Sequence, residues 1–159
     1  MKEKVYEYLK KLDIEFKIYN HPALYTCADN DKYGLVFDGI RDKNLFLRNK
    51  NKSKFYLVSM PEIKALDLKT LALKLGESKL SFANEEQLFN KLKIKPGMVS
   101  FLNIVEAEKD VIFIIDEDLL KGEKVCFHPN DNTATVTFSG KDIKKILQDF
   151  DVEYKLINL

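Results

Sequence analysis

The chain has 159 residues, of which 45% are hydrophobic and 32% charged, and its formal net charge at pH 7 is +1. This length suits one compact domain with a sizeable core, and the composition is that of an ordinary globular protein rather than a disordered one. A net charge this close to zero argues against a protein that coats nucleic acid non-specifically, because such binding depends on many phosphate contacts.

The N-terminus has neither the pattern of a targeting segment nor that of a membrane span. MKEKVYEYLKKLD alternates charged and apolar residues and lacks the apolar stretch of a signal peptide. The longest apolar run, residues 111–115, is far shorter than the roughly 20 residues that a membrane span needs. We therefore expect a cytoplasmic protein without membrane contact, in which Cys27 and Cys126 stay thiols.

Helical and extended patterns alternate irregularly in the first third of the chain. Residues 2–12 carry apolar residues at helical spacing, and a strand is expected over 15–19. The turn-rich segment after it is expected to become a short helix before Gly34, followed by a strand over 35–40. Two further strands come next and are joined by the polar turn NKNKS.

Two helices in the middle of the chain are predicted from their end signals. Asp67 is the expected N-cap of LKTLALKL, which Gly76 ends. Asn84 is the expected N-cap of EEQLFNKL, and Gln87 has the spacing of a capping box.

The second half is mostly strand-like. Four strands are expected, over 98–105, 111–115, 124–128 and 133–138. Ser139, with Asp142 three residues later, is expected to open a helix over 140–149, and VEYKLI is expected to form a last strand. About seven strands with irregularly inserted helices predict an α+β fold: a single compact domain, residues 1–159, with a mixed, mostly antiparallel sheet and flanking helices. Glycine-rich dinucleotide, Walker-type and G-x-S-x-G motifs are all missing from the sequence, so those enzyme classes have no support.

An adjacent lysine and asparagine stand out in GIRDKNLFLRN. Strand alternation sends Leu45 and Leu47 to one face and Asn44 and Phe46 to the other. Lys43 could supply a fixed ammonium to a phosphate or a polarised carbonyl, with the Asn44 amide beside it. An exposed strand end is the alternative reading of the same residues.

Two other stretches are candidate parts of a site. His128 ends a strand just before Pro129, where it could orient a substrate or relay a proton, or could simply be a strand-end histidine. Gly97 lies in KPGMVS, a turn whose bare backbone N–H groups could face a ligand, or which could be a plain turn.

Metal and thiol chemistry have weak support. His21, Cys27, Cys126 and His128 could together ligate zinc, but they lack the short paired spacing that makes such a prediction strong. A Cys–His nucleophile pair is also conceivable, although free cysteines are commonly buried and nothing in the sequence visibly lowers a thiol pKa.

Several motifs together resemble one known family. HPALYT, GIRDKNLFLRN, KPGMVS, VIFIIDEDLL and FHPNDNTATV occur in the order and spacing of the YbaK/ProX-type prolyl-tRNA editing family, over nearly the whole chain. The resemblance implies hydrolysis of the ester between a wrong amino acid and the 3′ end of tRNA(Pro). KNLFL resembles the alanine-specific branch, so the expected substrate is Ala-tRNA(Pro), with prolyl-tRNA synthetase as a candidate partner and no cofactor or metal.

The resemblance also implies roles for individual residues. The residues expected to take part in catalysis are Lys43 and His128, and those expected to bind substrate are Asn44, Gly97, Ser100 and Phe127. Lys43 would anchor the terminal phosphate or the ester carbonyl, Asn44 would orient the 3′ end, and His128 would hold the water or the α-amino group. Six basic residues between Arg41 and Lys54, against the one acid Asp42, suggest a basic edge that contacts the acceptor stem. The expected tRNA contacts are Arg41, Arg48, Lys50 and Lys52.

One departure from the family keeps two alternatives open. Family members often carry a proline after the serine of the GxVS loop, whereas here Phe101 follows Ser100 directly. The alternatives are a deacylase for another mischarged tRNA, carrying Cys, Ser or Thr, and a catalytically silent module that binds tRNA ends.

Overall fold

The computed structural model of the protein describes residues 2–23 and 39–159. Cys27, the short helix predicted before Gly34 and most of the strand predicted over 35–40 lie outside these residues. In the described part of the chain, no helix is both long and apolar enough to cross a membrane.

The described residues form helices and strands in an irregular order. The helices are α1 (Lys2–Lys11), α2 (Leu68–Leu75), α3 (Glu85–Leu92), α4 (Glu117–Leu120) and α5 (Lys141–Phe150), with a 3₁₀ helix at Phe101–Val105. The strands are β1 (Phe16–Asn20), β2 (Ile40–Asn49), β3 (Phe55–Pro61), β4 (Leu80–Phe82), β5 (Val111–Asp116), β6 (Val125–Phe127), β7 (Ala134–Phe138) and β8 (Tyr154–Ile157).

The strands form one mixed sheet, which confirms the predicted α+β fold. Its order is β1-β7-β6-β2-β3-β5-β8, with β4 paired to β2. The antiparallel pairs are β1 with β7, β6 with β7, β2 with β3 and β2 with β4. The parallel pairs are β2 with β6, β3 with β5 and β5 with β8. The long strand β2 therefore lies inside the sheet, between β3 on one side and β6 and β4 on the other.

The sheet separates two hydrophobic clusters, and β2 contributes to both. Phe46 packs in the larger cluster, which includes apolar residues of α1, α3 and α5. Leu47 packs in the smaller cluster with Leu71 of α2. Because successive residues of a strand face opposite sides, this is the alternation that the sequence predicted for β2.

The predicted helix caps in the middle of the chain are confirmed. Asp67 accepts a hydrogen bond from the Lys69 backbone at the start of α2, and Gly76 ends that helix with a left-handed backbone. Asn84 and Gln87 form the expected capping box at the start of α3. These contacts span only a few residues, so they are readable from the sequence.

Two local predictions were wrong. The segment predicted as a strand over 98–105 contains a 3₁₀ helix, because Ser100 and Asn103 form a capping box at its start. The N-cap of α5 is Gly140 rather than Ser139, and it makes no side-chain cap bond. A Cβ atom at Gly140 would lie 2.1 Å from the Leu119 carbonyl oxygen, so close packing against α4 requires glycine there.

Candidate active site

The strand β2 has a stretch with a described strand neighbour on one side only. Its pairing with β6 ends at Arg41, and its pairing with β4 begins at Leu47. Between them, residues 42–46 pair only with β3 among the described strands. Lys43 and Asn44 leave opposite faces of β2 within this stretch, so both lie beside the same open edge.

Lys43 is held in place by the chain that follows β3. Its ammonium donates a hydrogen bond to the carbonyl oxygen of Lys64. The Lys64 ammonium in turn lies 2.8 Å from carboxylate oxygens of Asp116 and Asp118. Hydrogen bonds to Asp116 and then Asp118 raise the pKa of Lys64. The turn that receives Lys43 is thus tied to the start of α4.

The Asn44 amide is bound at both of its ends. Ser59, its partner in the β2–β3 register, donates its hydroxyl to Asn44 Oδ1 at 2.5 Å. Asn44 Nδ2 donates to the Asp42 carboxylate. Asp42 is partly exposed, but desolvation of its carboxyl group raises the pKa to about 7, helped by the charge of Glu62 and opposed by the bond from Asn44.

His128 lies directly after β6, near the point where the pairing of β6 with β2 ends. The last pair in that parallel register is Arg41 with Cys126, and Lys43 and His128 each come two residues later in the chain. The Nδ1 atom of His128 is 3.2 Å from the Ala134 carbonyl oxygen. Since a carbonyl only accepts, Nδ1 carries the proton.

The environment of His128 favours the neutral ring. Burial lowers the pKa of His128, and repulsion from His21 acts in the same direction, although the bond to Ala134 opposes both. With Nδ1 protonated and the ring neutral, Nε2 keeps a lone pair that can accept a proton or a hydrogen bond. The His21 ring centroid lies 6.4 Å from that of His128, and His21 Nε2 is 2.8 Å from the Thr135 hydroxyl.

The turn at Gly97 is tied to the His128 segment. Gly97 is exposed and has φ of 85°, a conformation that favours glycine. Ser100 Oγ donates to the His128 carbonyl oxygen at 2.7 Å. Asn103 accepts from the Ser100 backbone N–H at 2.7 Å and donates to Asn130 Oδ1 at 2.5 Å. The GxVS loop and the HPN segment therefore hold each other in place.

Two of the expected substrate-binding side chains are buried. Ser100 is 0% exposed and Phe127 is 1% exposed, and Phe127 packs against Phe101 and Phe138. Their side chains therefore shape the site from beneath, and any contact with a ligand would come from their backbone. Direct substrate binding by these two residues stays a prediction.

The residues of the expected basic edge lie at both ends of β2, and their contact with tRNA stays a prediction. Arg41 stands near one end of β2 and its Nε is 2.8 Å from Glu62 Oε2. Lys50 and Lys52 lie in the exposed turn after the other end, about 30 Å away for a strand of this length. Arg48, near that turn, donates to the Asn49 carbonyl oxygen at 3.1 Å. Because β2 is an inner strand, its basic residues divide between two ends of the sheet.

The described residues give no support to the thiol or the zinc alternative. Cys126 is 3% exposed, which argues against it as a nucleophile. In residues 2–23 and 39–159, no three His, Cys, Asp or Glu side chains are grouped as a metal site would need. Cys27, the fourth residue of the zinc alternative, lies outside these ranges.

Several residues of the site were not singled out by the sequence. Ser59, Asn103 and the Lys64 carbonyl contact predicted site residues, but they belong to no motif by themselves. A signal existed only for Asn103, because Ser100 and Asn103 have capping-box spacing. The site thus combines a fixed ammonium, an oriented amide, a neutral imidazole and a glycine turn.

The chain is similar in sequence to a family model and to several known proteins. A family model described as an aminoacyl-tRNA editing domain matches residues 21–146. The prolyl-tRNA editing protein ProX of Acetoanaerobium sticklandii is 38% identical over 99% of this chain and 97% of its own. The prolyl-tRNA synthetase associated domain-containing protein 1 of Xenopus laevis is 32% identical over 93% of this chain and 90% of its own.

Solved structures support the fold at lower identity. The structure of a candidate trans-editing enzyme for prolyl tRNA synthetase superposes with a TM-score of 0.72, at 19% identity, over 99% of this chain and 96% of that one. Together with the matched family model and the relative at 38% identity, this agrees with the motif resemblance. The chain belongs to the aminoacyl-tRNA editing domain family.

Proposed function

We propose that this protein is a freestanding deacylase that hydrolyses the ester of alanine mischarged on tRNA(Pro). The observation that carries the proposal is the Lys43–Asn44 pair at the open edge of β2, with His128 two residues beyond the last residue that β6 pairs with β2. The relative at 38% identity, a prolyl-tRNA editing protein, supports prolyl-tRNA as the substrate class. The choice of alanine comes from the KNLFL resemblance.

Lys43 supplies the positive charge of this mechanism. Its ammonium binds the terminal phosphate or the ester carbonyl oxygen, where negative charge develops as the ester is attacked. The Lys64 carbonyl that holds it in the free protein limits the positions of this long side chain. Less conformational freedom is then lost when the substrate binds.

Asn44 and His128 act on the two other reacting groups. Asn44 donates its remaining amide N–H to the 3′-terminal ribose. The unprotonated Nε2 of His128 accepts a hydrogen bond from the attacking water or from the substrate α-amino group. Its neutral state at pH 7 follows from the burial that lowers its pKa.

The chemistry needs water and no covalent enzyme intermediate. The water oxygen bonds to the ester carbonyl carbon, and the bond from that carbon to the ribose oxygen then breaks. The ribose oxygen takes up a proton, and free alanine and tRNA(Pro) leave. An aminoacyl ester is already activated, so holding the reactants in position and stabilising the oxyanion supply much of the acceleration.

The Gly97 loop sets the size of the amino-acid pocket in this proposal. Because Gly97 has no side chain, its backbone can approach the aminoacyl group closely. A synthetase site built for proline rejects alanine weakly, since a missing methylene is worth only about 1–3 kcal/mol. A smaller second pocket accepts alanine and excludes proline by size.

Contacts with the acceptor stem complete the proposal. Arg41 lies near the catalytic end of β2, whereas Arg48, Lys50 and Lys52 lie at its far end. An acceptor stem whose 3′ end lies at Lys43 would contact Arg41 close to the site, and Lys50 and Lys52 only where it passes the turn about 30 Å away. Prolyl-tRNA synthetase is the candidate protein partner, because it produces the mischarged substrate.

Single-turnover deacylation tests the proposal directly. Excess protein is mixed with tRNA(Pro) charged separately with alanine, cysteine, serine, threonine or proline, and the remaining ester is followed over time. We expect rapid loss of alanine, no loss of proline, and no inhibition by a chelator. A matched tRNA(Ala) charged with alanine shows whether the tRNA itself is recognised.

The other outcomes identify the alternatives. If cysteine, serine or threonine is removed faster than alanine, that amino acid replaces alanine in the proposed substrate. Tight binding of charged tRNA without loss of any amino acid would make the protein a binding module. The feature that favours these outcomes is the Ser100–Phe101 loop, where Phe101 is buried in the core and starts the 3₁₀ helix.

A further inference from the structure

We propose that Asp42 is a positioning residue of this site, whose carboxylate orients the Asn44 side-chain amide towards the substrate. The inference rests on the function proposed above, because it concerns the same open edge of β2. Asp42 lies within GIRDKNLFLRN and is the single acid among the six basic residues between Arg41 and Lys54.

Three polar side chains form a row on one face of the sheet. Asp42 and Asn44 are two residues apart on β2, and Ser59 lies opposite Asn44 on β3. Asn44 Nδ2 donates to Asp42 Oδ2, while the Ser59 hydroxyl donates to Asn44 Oδ1 at 2.5 Å. Ser59 is 0% exposed, so its hydroxyl has little access to water. Both ends of the amide are therefore held by neighbouring side chains.

Of the two neighbours, Asp42 decides which way the amide points. An ionised carboxylate can only accept, so it can face only the amide nitrogen of Asn44. The Ser59 hydroxyl can donate or accept and adapts to either orientation. A protonated Asp42 could donate instead, and the amide could then turn round and exchange its N–H and C=O groups. The substrate would meet the opposite hydrogen-bonding pattern.

The charges around Asp42 make both forms accessible near neutral pH. On its own strand, Arg41 and Lys43 leave the opposite face. Glu62, just after β3, adds a like charge and is itself paired with Arg41 at 2.8 Å. On the β6 side, His128 is neutral because burial lowers its pKa. Desolvation and Glu62 raise the pKa of Asp42 to about 7.

The ratio of two rate constants tests the proposal. Single-turnover deacylation of Ala-tRNA(Pro) by wild type and by Asp42→Asn is measured from about pH 5.5 to about pH 8.5, after subtraction of the enzyme-free rate. The wild-type to variant ratio should rise from near one to about tenfold through about pH 7, because a charge-assisted hydrogen bond is replaced by a neutral one. Titration of His128 and of the substrate amino group cancels in this ratio.

Matched measurements separate positioning from general damage. The affinity for charged tRNA should be the same in wild type and Asp42→Asn, since Lys43 and the basic residues are unchanged. Asp110→Asn removes an exposed acid that pairs with Lys91 at 2.6 Å, and it should leave the rate constant as in wild type at every pH. A rate ratio of one at all pH values overturns the role of Asp42.

A readout without tRNA distinguishes this proposal from the deacylase proposal. The Asn44 side-chain amide signals in a ¹H–¹⁵N spectrum should titrate near pH 7 in wild type and stay constant in Asp42→Asn. If wild type deacylates no substrate but this titration is present, the function fails and the orientation by Asp42 stands. If the Asn44 amide signals of wild type do not change with pH, the proposed role of Asp42 is wrong. This result needs only the wild-type protein, so it holds even if Asp42→Asn fails to fold.

Discussion

The two ends of β2 carry similar numbers of polar and charged residues but differ in how these are held. At the open edge, Lys43 contacts the Lys64 carbonyl oxygen and Asn44 lies between Asp42 and Ser59. At the hairpin end, Lys50 is exposed in a turn. Charge density in the sequence therefore does not separate a reactive site from a solvated turn, whereas fixed side-chain positions do.

The largest expected effect is at the open edge. Lys43→Ala removes the ammonium that, in the proposed mechanism, stabilises developing charge, so the single-turnover rate constant for Ala-tRNA(Pro) should fall by about 100-fold or more. Lys155→Ala, which removes an exposed lysine from β8, is the matched control and should keep the wild-type rate. Unchanged turnover in Lys43→Ala would remove this lysine from the mechanism.

A smaller effect is expected from the loop that supports His128. Ser100→Ala loses both the hydroxyl that bonds the His128 carbonyl and the cap of the 3₁₀ helix, so we expect about a tenfold slower reaction and a loss of about 1 kcal/mol in stability. Asp67→Ala removes a comparable cap from α2 and should lose similar stability without slowing deacylation. Equal rates in the two variants would show that the His128 contact is only structural.

Substitutions in the turn between β2 and β3 should change the affinity for tRNA rather than the rate of hydrolysis. In a Lys50→Ala, Lys52→Ala double variant, we expect the affinity for tRNA(Pro) to fall about threefold to tenfold, and its salt dependence to decrease by about one unit of slope for each lost phosphate contact. The rate constant at saturating protein should not change. Affinity and slope that match wild type would exclude this turn as a tRNA contact.

The last expected effect concerns stability and not the rate of hydrolysis: the stability should shift with pH. The pKa of Asp42 is raised from 3.8 to about 7 in the folded protein, so folding favours the protonated form. The stabilisation from this group is complete below about pH 4 and is lost as the pH rises through about 7. The melting temperature of wild type should therefore fall relative to Asp42→Asn over that range. A constant difference between the two proteins would contradict the raised pKa.

Local features of the fold were predictable because their causes lie within a few residues. The caps at Asp67 and Asn84 and the alternation of Phe46 and Leu47 follow from short-range contacts and the period of a strand. The segment 98–105 was misread because its apolar residues suit a strand, while the Ser100 capping signal favours a helical turn. At Gly140 the cause was remote, since the close approach of α4 decides the cap.

In the candidate site, too, some features could be predicted from the sequence and others depend on remote contacts. The motifs were sufficient to select Lys43, Asn44 and His128 and to assign the family. They did not reveal that Asp42 and Ser59 hydrogen-bond the Asn44 amide, or that the basic residues separate to two ends of β2. Those features depend on the register of β2 against β3 and β6, which joins residues far apart in the chain. Side-chain contacts across strands exist only once the whole sheet has formed, so only the tertiary structure decides them.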